Sequence, residues 1–191
     1  MRNARFLTTD ELAQLNFAKL GENVLIHETV VLVRTEKIHL GSNIRIDPYC
    51  VISAGEDVLI GSYVHIAAHV LLSGQAGITL HDFAGISHGV KLLSTSDDFS
   101  AGVLTGPMVP GDLRHVEEAR IVIGRHAVIG ANSVVLPGAA VNEGAMVGAL
   151  SLARGELEAW KVHAGSPSRI VGIRNKEGVL RAGATLPRCF D

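Results

Sequence analysis

The sequence is short of aromatic side chains: Phe, Trp and Tyr together make up 4% of its 191 residues. It has two cysteines, Cys50 and Cys189, too few for a disulfide framework and wrongly spaced for a metal knuckle. A buried apolar thiol at Cys50 and a tail thiol at Cys189 are expected. Charge of either sign is not in excess. Lys and Arg number 17 against 19 Asp and Glu, a net charge of −2, which gives no footprint for nucleic acid or for an anionic membrane. No run approaches the ~18 apolar residues of a membrane span. The opening Met1-Arg2-Asn3-Ala4-Arg5 leads into Thr8-Thr9-Asp10-Glu11, not into the apolar stretch of a signal peptide. A cytoplasmic protein with no nucleic-acid and no membrane partner is expected.

What the chain does have is aliphatic: 47% of residues are apolar, and 21 are glycine. A core poor in rings but rich in Val, Ile, Leu and Ala must be thin and regularly layered, which points to a solenoid. The length suits one core and is too short for two ordinary domains.

An internal repeat confirms the layering. Leu20, Ile26 and Leu32 are six apart; a step of eight leads to Leu40, then Ile46, Ile52, Ile60, Ile66, Leu72, Leu80, Ile86 and Leu92. Leu20, Leu40, Ile60 and Leu80 are thus one coil apart. After a break the series resumes in sixes at Ile123, Ile129, Val135, Val141 and Val147. The fourth residue after each is small or β-branched on the six-residue rungs, as at Val24, Ile44, Cys50, Val64, Ala84, Ala127, Ser133 and Ala145. The next residue is often glycine: Gly21, Gly41, Gly61, Gly124, Gly130 and Gly148. The pattern predicts a triangular coil with aliphatics inside, small residues near the corners, and glycines supplying tight or positive-φ backbone at the turns. Neither a 3.6-residue helical period nor simple alternation fits it.

Ile-Gly-Ala-Asn-Ser-Val at 129–134, followed by Val-Leu-Pro-Gly-Ala-Ala at 135–140, resembles the hexapeptide-repeat acyltransferases. The resemblance implies an all-β fold, a left-handed parallel β-helix, and a homotrimer using acetyl-CoA or another acyl-CoA as co-substrate with no metal. The expected organisation is an N-terminal cap at 1–19, a β-helix at 20–152 with an insertion at about 94–120, and a C-terminal tail with a short helix at 153–191. Thr9-Asp10-Glu11 before Leu12 reads as the start of a capping helix.

Within that class the chain is similar to enzymes that acylate the amine of nucleotide-linked 4-amino-4,6-dideoxysugars. The segments that carry the likeness are Ser96-Asp97-Asp98-Phe99-Ser100, Leu104-Thr105-Gly106-Pro107, Val147-Gly148-Ala149-Leu150-Ser151-Leu152 and Ala164-Gly165-Ser166-Pro167. Relatives that acylate sugar hydroxyls carry a catalytic histidine where this chain has Ser96-Asp97-Asp98. An amine is a better nucleophile than a hydroxyl and, with a pKa near ~8, is partly neutral at cytosolic pH. It needs less help from a base.

Asp97 and Asp98 are therefore the candidate orienting or proton-accepting groups, with His88 next. The resemblance also implies pantetheine contacts at Gly130, Ala131, Gly148 and Ala149. Arg169 and Arg174, in a basic segment with Arg154, Lys161 and Lys176, are candidates for the phosphates of coenzyme A. Trp160 is expected to anchor the tail. His115 is expected to be structural or exposed.

Three alternatives remain at this stage. One is O-acetylation of a sugar hydroxyl, as in galactoside and maltose acetyltransferases. Another is metal catalysis through His65, His69, His81 and His88 on adjacent coils. The third is a non-catalytic solenoid.

Overall fold

In the computed structural model, which describes residues 5–184, the chain winds as a parallel β-helix with three faces. The first face stacks seven rungs, from Lys19–Leu20 through Ile38–Leu40, Val58–Ile60, Ile78–Leu80, Ile121–Ile123 and Ala140–Val141 to Glu156–Leu157. Val24–Ile26, Ile44–Ile46, His65–Ile66, Gly85–Ile86, Val128–Ile129, Met146–Val147 and Lys161–Gly165 form the second face, and the antiparallel strand Ser168–Ile173 closes it. The third face runs Val31–Val33, Val51–Ala54, Leu71–Gly74, Lys91–Leu93, Val134–Val135 and Leu152–Ala153.

The repeat dictates this stacking. Ile46, Ile66, Ile86 and Ile129 pair rung on rung along the second face, and all four are sealed from solvent. Burying one such side chain is worth about 1.5–3 kcal/mol. No rung can bury its inner side alone, so stability comes from its neighbours. Leu80 pairs directly with Ile123, so the coil passes the insertion without losing register.

The glycines after the aliphatics serve a different purpose from the one expected. None of Gly21, Gly41, Gly61, Gly124, Gly130 and Gly148 has positive φ. A Cβ at Gly130 would sit 2.5 Å from Ala149 N and 2.7 Å from Val147 O. These positions exclude a side chain because the next coil's backbone occupies its space.

The left-handed conformation falls two residues later, on Asn23, Asn43, Tyr63, Phe83 and His126. One corner therefore carries a ladder of side chains. Asn23 Nδ2 donates to Asn43 Oδ1 at 2.8 Å, Tyr63 stacks on Phe83 at 5.0 Å, and Phe83 on His126 at 4.8 Å. Contacts between stacked side chains offset the cost of αL geometry in non-glycine residues. Burial, with Arg125 close by, pushes the His126 imidazole below its ordinary pKa.

At the N-terminal end, helix α1 (Thr9–Ala13) starts from Thr8, whose hydroxyl accepts from Glu11 N while Glu11 returns a bond to Thr8 N. The cap is thus one residue earlier than the sequence pattern predicts. Leu12 is buried against the first coil, and Leu7, Leu15 and Phe17 pack beside it. Leu20, first of the aliphatic series, stays partly exposed at the open end.

At the other end the rungs do not stop at Leu152. Met146–Val147 still pairs with Val162–His163, and Ala140–Val141 with Glu156–Leu157. The inward residues there are Ala153 and Leu157, four apart instead of six, and His163 takes an aliphatic's place. That shortened step hides the last coil from a six-residue search. Helix α2 (Lys176–Gly183) follows, with Asn175 as its cap. Cys50 is buried, and burial raises its thiol pKa; Cys189 lies outside the described residues.

Candidate active site

The insertion leaves the coil at the end of the third-face rung Lys91–Leu93. Ser94 seals its base: the buried hydroxyl donates to Ser73 O at 3.0 Å and accepts from Ala76 N at 2.9 Å. Ala119 N then donates to Ser94 O at 3.0 Å, so the two ends of the excursion are tied together. Above this tie, Thr95–Asp97 pairs antiparallel with Val116–Glu118, which gives the loop a rigid stem.

Asp97 and Asp98 cap that stem and are held differently. One oxygen of Asp97, Oδ2, accepts from Gly106 N at 2.9 Å. Its Oδ1 is buried with no hydrogen-bond partner among the described residues, with Arg114 Nη1 4.0 Å away. A buried carboxylate oxygen without a hydrogen bond is costly, and the nearby Arg114 charge offsets part of that cost. Asp98 is already occupied. Its Oδ1 accepts from both Oγ and N of Ser100, its Oδ2 lies 3.3 Å from His115 Nδ1, and its own N–H donates to His115 O. The Ser100 hydroxyl and backbone N–H hold its carboxyl below the usual carboxylate range. Asp98 therefore shapes an Asx turn.

His88 lies elsewhere in the single chain, at the corner where the second face turns into the third. Asn132 N donates to His88 O at 2.8 Å, and Leu150 N to Ala131 O at 2.9 Å. His88, Ala131 and Ala149 therefore line one edge in successive coils, with Gly130 and Gly148 beside them. The whole width of the third face separates this edge from the root of the aspartate loop.

The two candidate arginines differ. Arg169 is exposed and, among the described residues, its Nη1 meets only its neighbour's carbonyl, Ser168 O, at 3.1 Å. Arg174 is half-buried, donating to His126 O and Gly144 O, and burial lowers its pKa. The fold uses Arg174 to clamp the closing strand onto the coil. Replacing Arg174 by Ala is expected to cost about 1.5–3 kcal/mol, as for hydrogen bonds to a charged group, while Arg169→Ala leaves the melting temperature unchanged. Thermal unfolding of the two variants side by side checks this. Trp160 packs over Gly144, where a Cβ would meet its ring at 2.4 Å, with Lys176 Nζ 5.6 Å from the ring centre.

One cluster escapes the sequence reading. Asp47 is buried at 8% exposure, and receives His65 Nε2 at 2.7 Å and Arg45 Nε at 2.7 Å. Burial pushes its carboxyl up, but the bonds from His65 and Arg45 outweigh that and hold it below its ordinary value. The signal was available: Arg45 and His65 stand one coil apart in register. His69, by contrast, stacks on Tyr49 at 5.2 Å. Among the described residues no three His, Cys, Asp or Glu side chains are placed to hold a metal ion.

A triangular coil with one tied-off insertion and a corner of small residues defines the class of hexapeptide-repeat transferases. The chain is 34% identical to AntD, an N-acyltransferase from Bacillus cereus. It superimposes at a TM-score of 0.90 on that enzyme's complex with dTDP and 3-hydroxybutyryl-CoA, covering 95% of this chain and 96% of that one. A variant of AntD bound to dTDP-4-amino-4,6-dideoxyglucose and coenzyme A gives 0.91, over 96% and 97%. The dTDP-4-amino-4,6-dideoxy-D-glucose acyltransferase of Escherichia coli is 35% identical over 104 residues, 54% of either chain. WbbJ of the same species (strain K12), a putative lipopolysaccharide biosynthesis O-acetyl transferase, is 38% identical over 77 residues, 40% of this chain and 39% of its own. These matches span about half of the first curated relative's length and about two fifths of the second's. No protein-family model matches the sequence. The chain belongs to the hexapeptide-repeat acyltransferase family.

Proposed function

We propose that the protein transfers an acetyl or other short acyl group from acyl-CoA to the amine of a dTDP-linked amino-deoxysugar. The observation that carries this reading is the end-to-end likeness to AntD, whose complexes hold coenzyme A and dTDP-4-amino-4,6-dideoxyglucose. In the proposed reaction the neutral amine nitrogen attacks the thioester carbonyl carbon. The C–S bond breaks, the amide forms, and coenzyme A leaves as thiolate, which finally takes the proton the amine gives up. Asp97 Oδ1 is the acceptor that first receives that N–H. Asp98 holds the loop in shape, and His88 lines the edge where the acyl group arrives. The pantetheine arm runs along Gly130, Ala131, Gly148 and Ala149, whose small side chains keep the edge low, and Arg169 meets its phosphates.

A homotrimer completes this site. The loop of one copy reaches the His88 edge of the next; within one chain the third face lies between the two. Apolar side chains left bare support the assembly: Phe99 is 83% and Met108 94% exposed on the loop, and Val31 52% on the third face. Light scattering that reports a stable monomer would overturn it. The proposed setting is the cytoplasm, where nucleotide sugars are made ready for polysaccharide or lipopolysaccharide assembly.

Likeness to WbbJ keeps a second reading in view, O-acetylation. Supplying the same nucleotide sugar with an amine or with a hydroxyl at the acceptor carbon, and following free thiol, separates the two. Thiol release with the amine alone is expected. Release with the hydroxyl alone overturns the N-acyltransferase reading and promotes His88 to base.

A further inference from the structure

Outward side chains on the third face form one row. Val31, Val51, Leu71, Lys91, Val134 and Leu152 pair rung on rung. Five are aliphatic and the fourth is a lysine. Lys91 is exposed in the single chain, while Leu92 beside it points into the core. Its ammonium meets one oxygen, Gly89 O at 3.1 Å, and among the described residues no carboxylate lies within ion-pair distance. The assembly proposed above covers this face, and a charge set in a covered apolar row needs an anion.

The contact with Gly89 decides where that anion comes from. It turns the ammonium back from the aliphatic row to the corner between the second and third faces. Gly89 cannot give way there: its φ is +69°, and a Cβ would run into Asn132 Oδ1. Its carbonyl is held in one place, one residue from His88, and uses one of the three ammonium N–H groups. Two remain. The corner continues in later coils as Ala131 and Ala149, linked through Asn132 N to His88 O and Leu150 N to Ala131 O. Of the ionisable side chains on this corner, His69 stacks on Tyr49 and His88 precedes Gly89 in the chain. Neither supplies an anion.

We infer that the Lys91 ammonium receives the sulfur of coenzyme A as the thiolate departs, which makes Lys91 a catalytic residue. The inference rests on the acyl-transfer reading proposed above and adds a residue for its leaving group. As the C–N bond forms and the C–S bond breaks, the bonding pair passes to sulfur. On the proposed path that charge develops at the His88 end of the pantetheine arm, since the phosphates lie at the other end with Arg169. Lys91 meets it with a charge-assisted N–H···S contact. A fixed cation aimed at developing negative charge lowers the barrier without rearranging at the moment of reaction. No proton leaves the lysine. The amine's proton still reaches the sulfur last, so atoms and charge balance.

Coenzyme A and desulfo-coenzyme A, which differ by the sulfur alone, test the contact by calorimetry on the full-length protein. In mildly alkaline solution wild-type protein is expected to prefer coenzyme A roughly tenfold, and Lys91→Met to bind the two alike. Methionine suits an aliphatic row, so the melting temperature and the assembly should hold. Lys91→Gln keeps a donor for Gly89 O without the charge and should behave as Lys91→Met does. One enclosed donor to a developing anion is worth ~10²–10³-fold, and an open corner yields less, so kcat should fall roughly 10- to 30-fold in both variants. The KM for the nucleotide sugar and the affinity for desulfo-coenzyme A should stay as in wild type, and Lys91→Arg should recover part of kcat. If Lys91→Met keeps either the preference for coenzyme A or the wild-type kcat, the role is overturned and the N-acyltransferase reading stands. Wild-type protein that releases no thiol with any amino-sugar nucleotide overturns that reading itself. If Lys91→Met dissociates the assembly by light scattering, the lysine serves a subunit ion pair and the inference fails.

Discussion

Gly130→Ala is expected to lower the melting temperature by about 6–12 °C, while Gly85→Ala leaves it unchanged or slightly higher. Both glycines sit on or beside the second face. The difference lies in what a Cβ would touch. At Gly130 it would press on Ala149 N, Gly148 C and Val147 O, all within 2.7 Å. Backbone in a stacked coil has nowhere to go, because the coil above is pinned by its own ladder bonds, among them Gly130 N to Val147 O and Gly148 N to His163 O. Overpacking of this kind costs about 3 kcal/mol at the upper end of its usual range. For a chain of this size each kcal/mol moves the midpoint by ~2–4 °C. At Gly85 the nearest groups are side-chain methyls at ordinary contact distance, and alanine relieves some of the entropic cost of glycine in a strand. Thermal unfolding of both variants decides the matter. Equal midpoints would mean that the coils are not packed as closely as this geometry requires.

The contrast also shows what the sequence made legible. Ile46, Ile66, Ile86 and Ile129 announce the coil because a rung admits one large inward side chain at a fixed step, and hydrophobicity is written directly in residue type. Close backbone approach is not. A glycine required by the next coil, one required by φ and one that neither requires look the same in a sequence. Even the αL corners escaped, since Asn43, Tyr63, Phe83 and His126 are ordinary residues until their stacking is seen. The last coil escaped because Leu157 follows Ala153 by four residues.

The site was legible to a different degree. Asp97-Asp98 stood out by replacing a histidine, but only the fold shows that Ser100 and His115 engage Asp98 while Asp97 Oδ1 has no hydrogen bond among the described residues and only the Arg114 charge beside it. Arg174 looked like any basic tail residue until His126 O and Gly144 O were seen to accept from it. The Asp47–His65 pair was missed because its partners are 18 residues apart, close in space only through the coil.

Asp97→Asn is expected to lower kcat about 100-fold with affinity for acyl-CoA unchanged. General-base help is worth ~10²–10⁴-fold, and a partly neutral amine draws on the lower end of that range. The expectation rests on the geometry of the two oxygens. Oδ2 is committed to Gly106 N at 2.9 Å, while Oδ1 is buried with no hydrogen bond among the described residues and Arg114 Nη1 4.0 Å away. Only a carboxylate oxygen can both accept the amine's N–H and hold the proton as the C–N bond forms; an amide in its place keeps the shape but not the basicity. Asp98→Asn should cost less, because its loss loosens the turn at Ser100 without removing an acceptor from the reacting nitrogen. The two roles separate in a pH profile. For Asp97→Asn, kcat should recover as the pH rises toward ~8 and above, where more of the amine is already neutral. For Asp98→Asn the profile should parallel that of wild type. If Asp98→Asn proves the more damaging and Asp97→Asn turns over normally across the range, the assignment of the two aspartates is reversed.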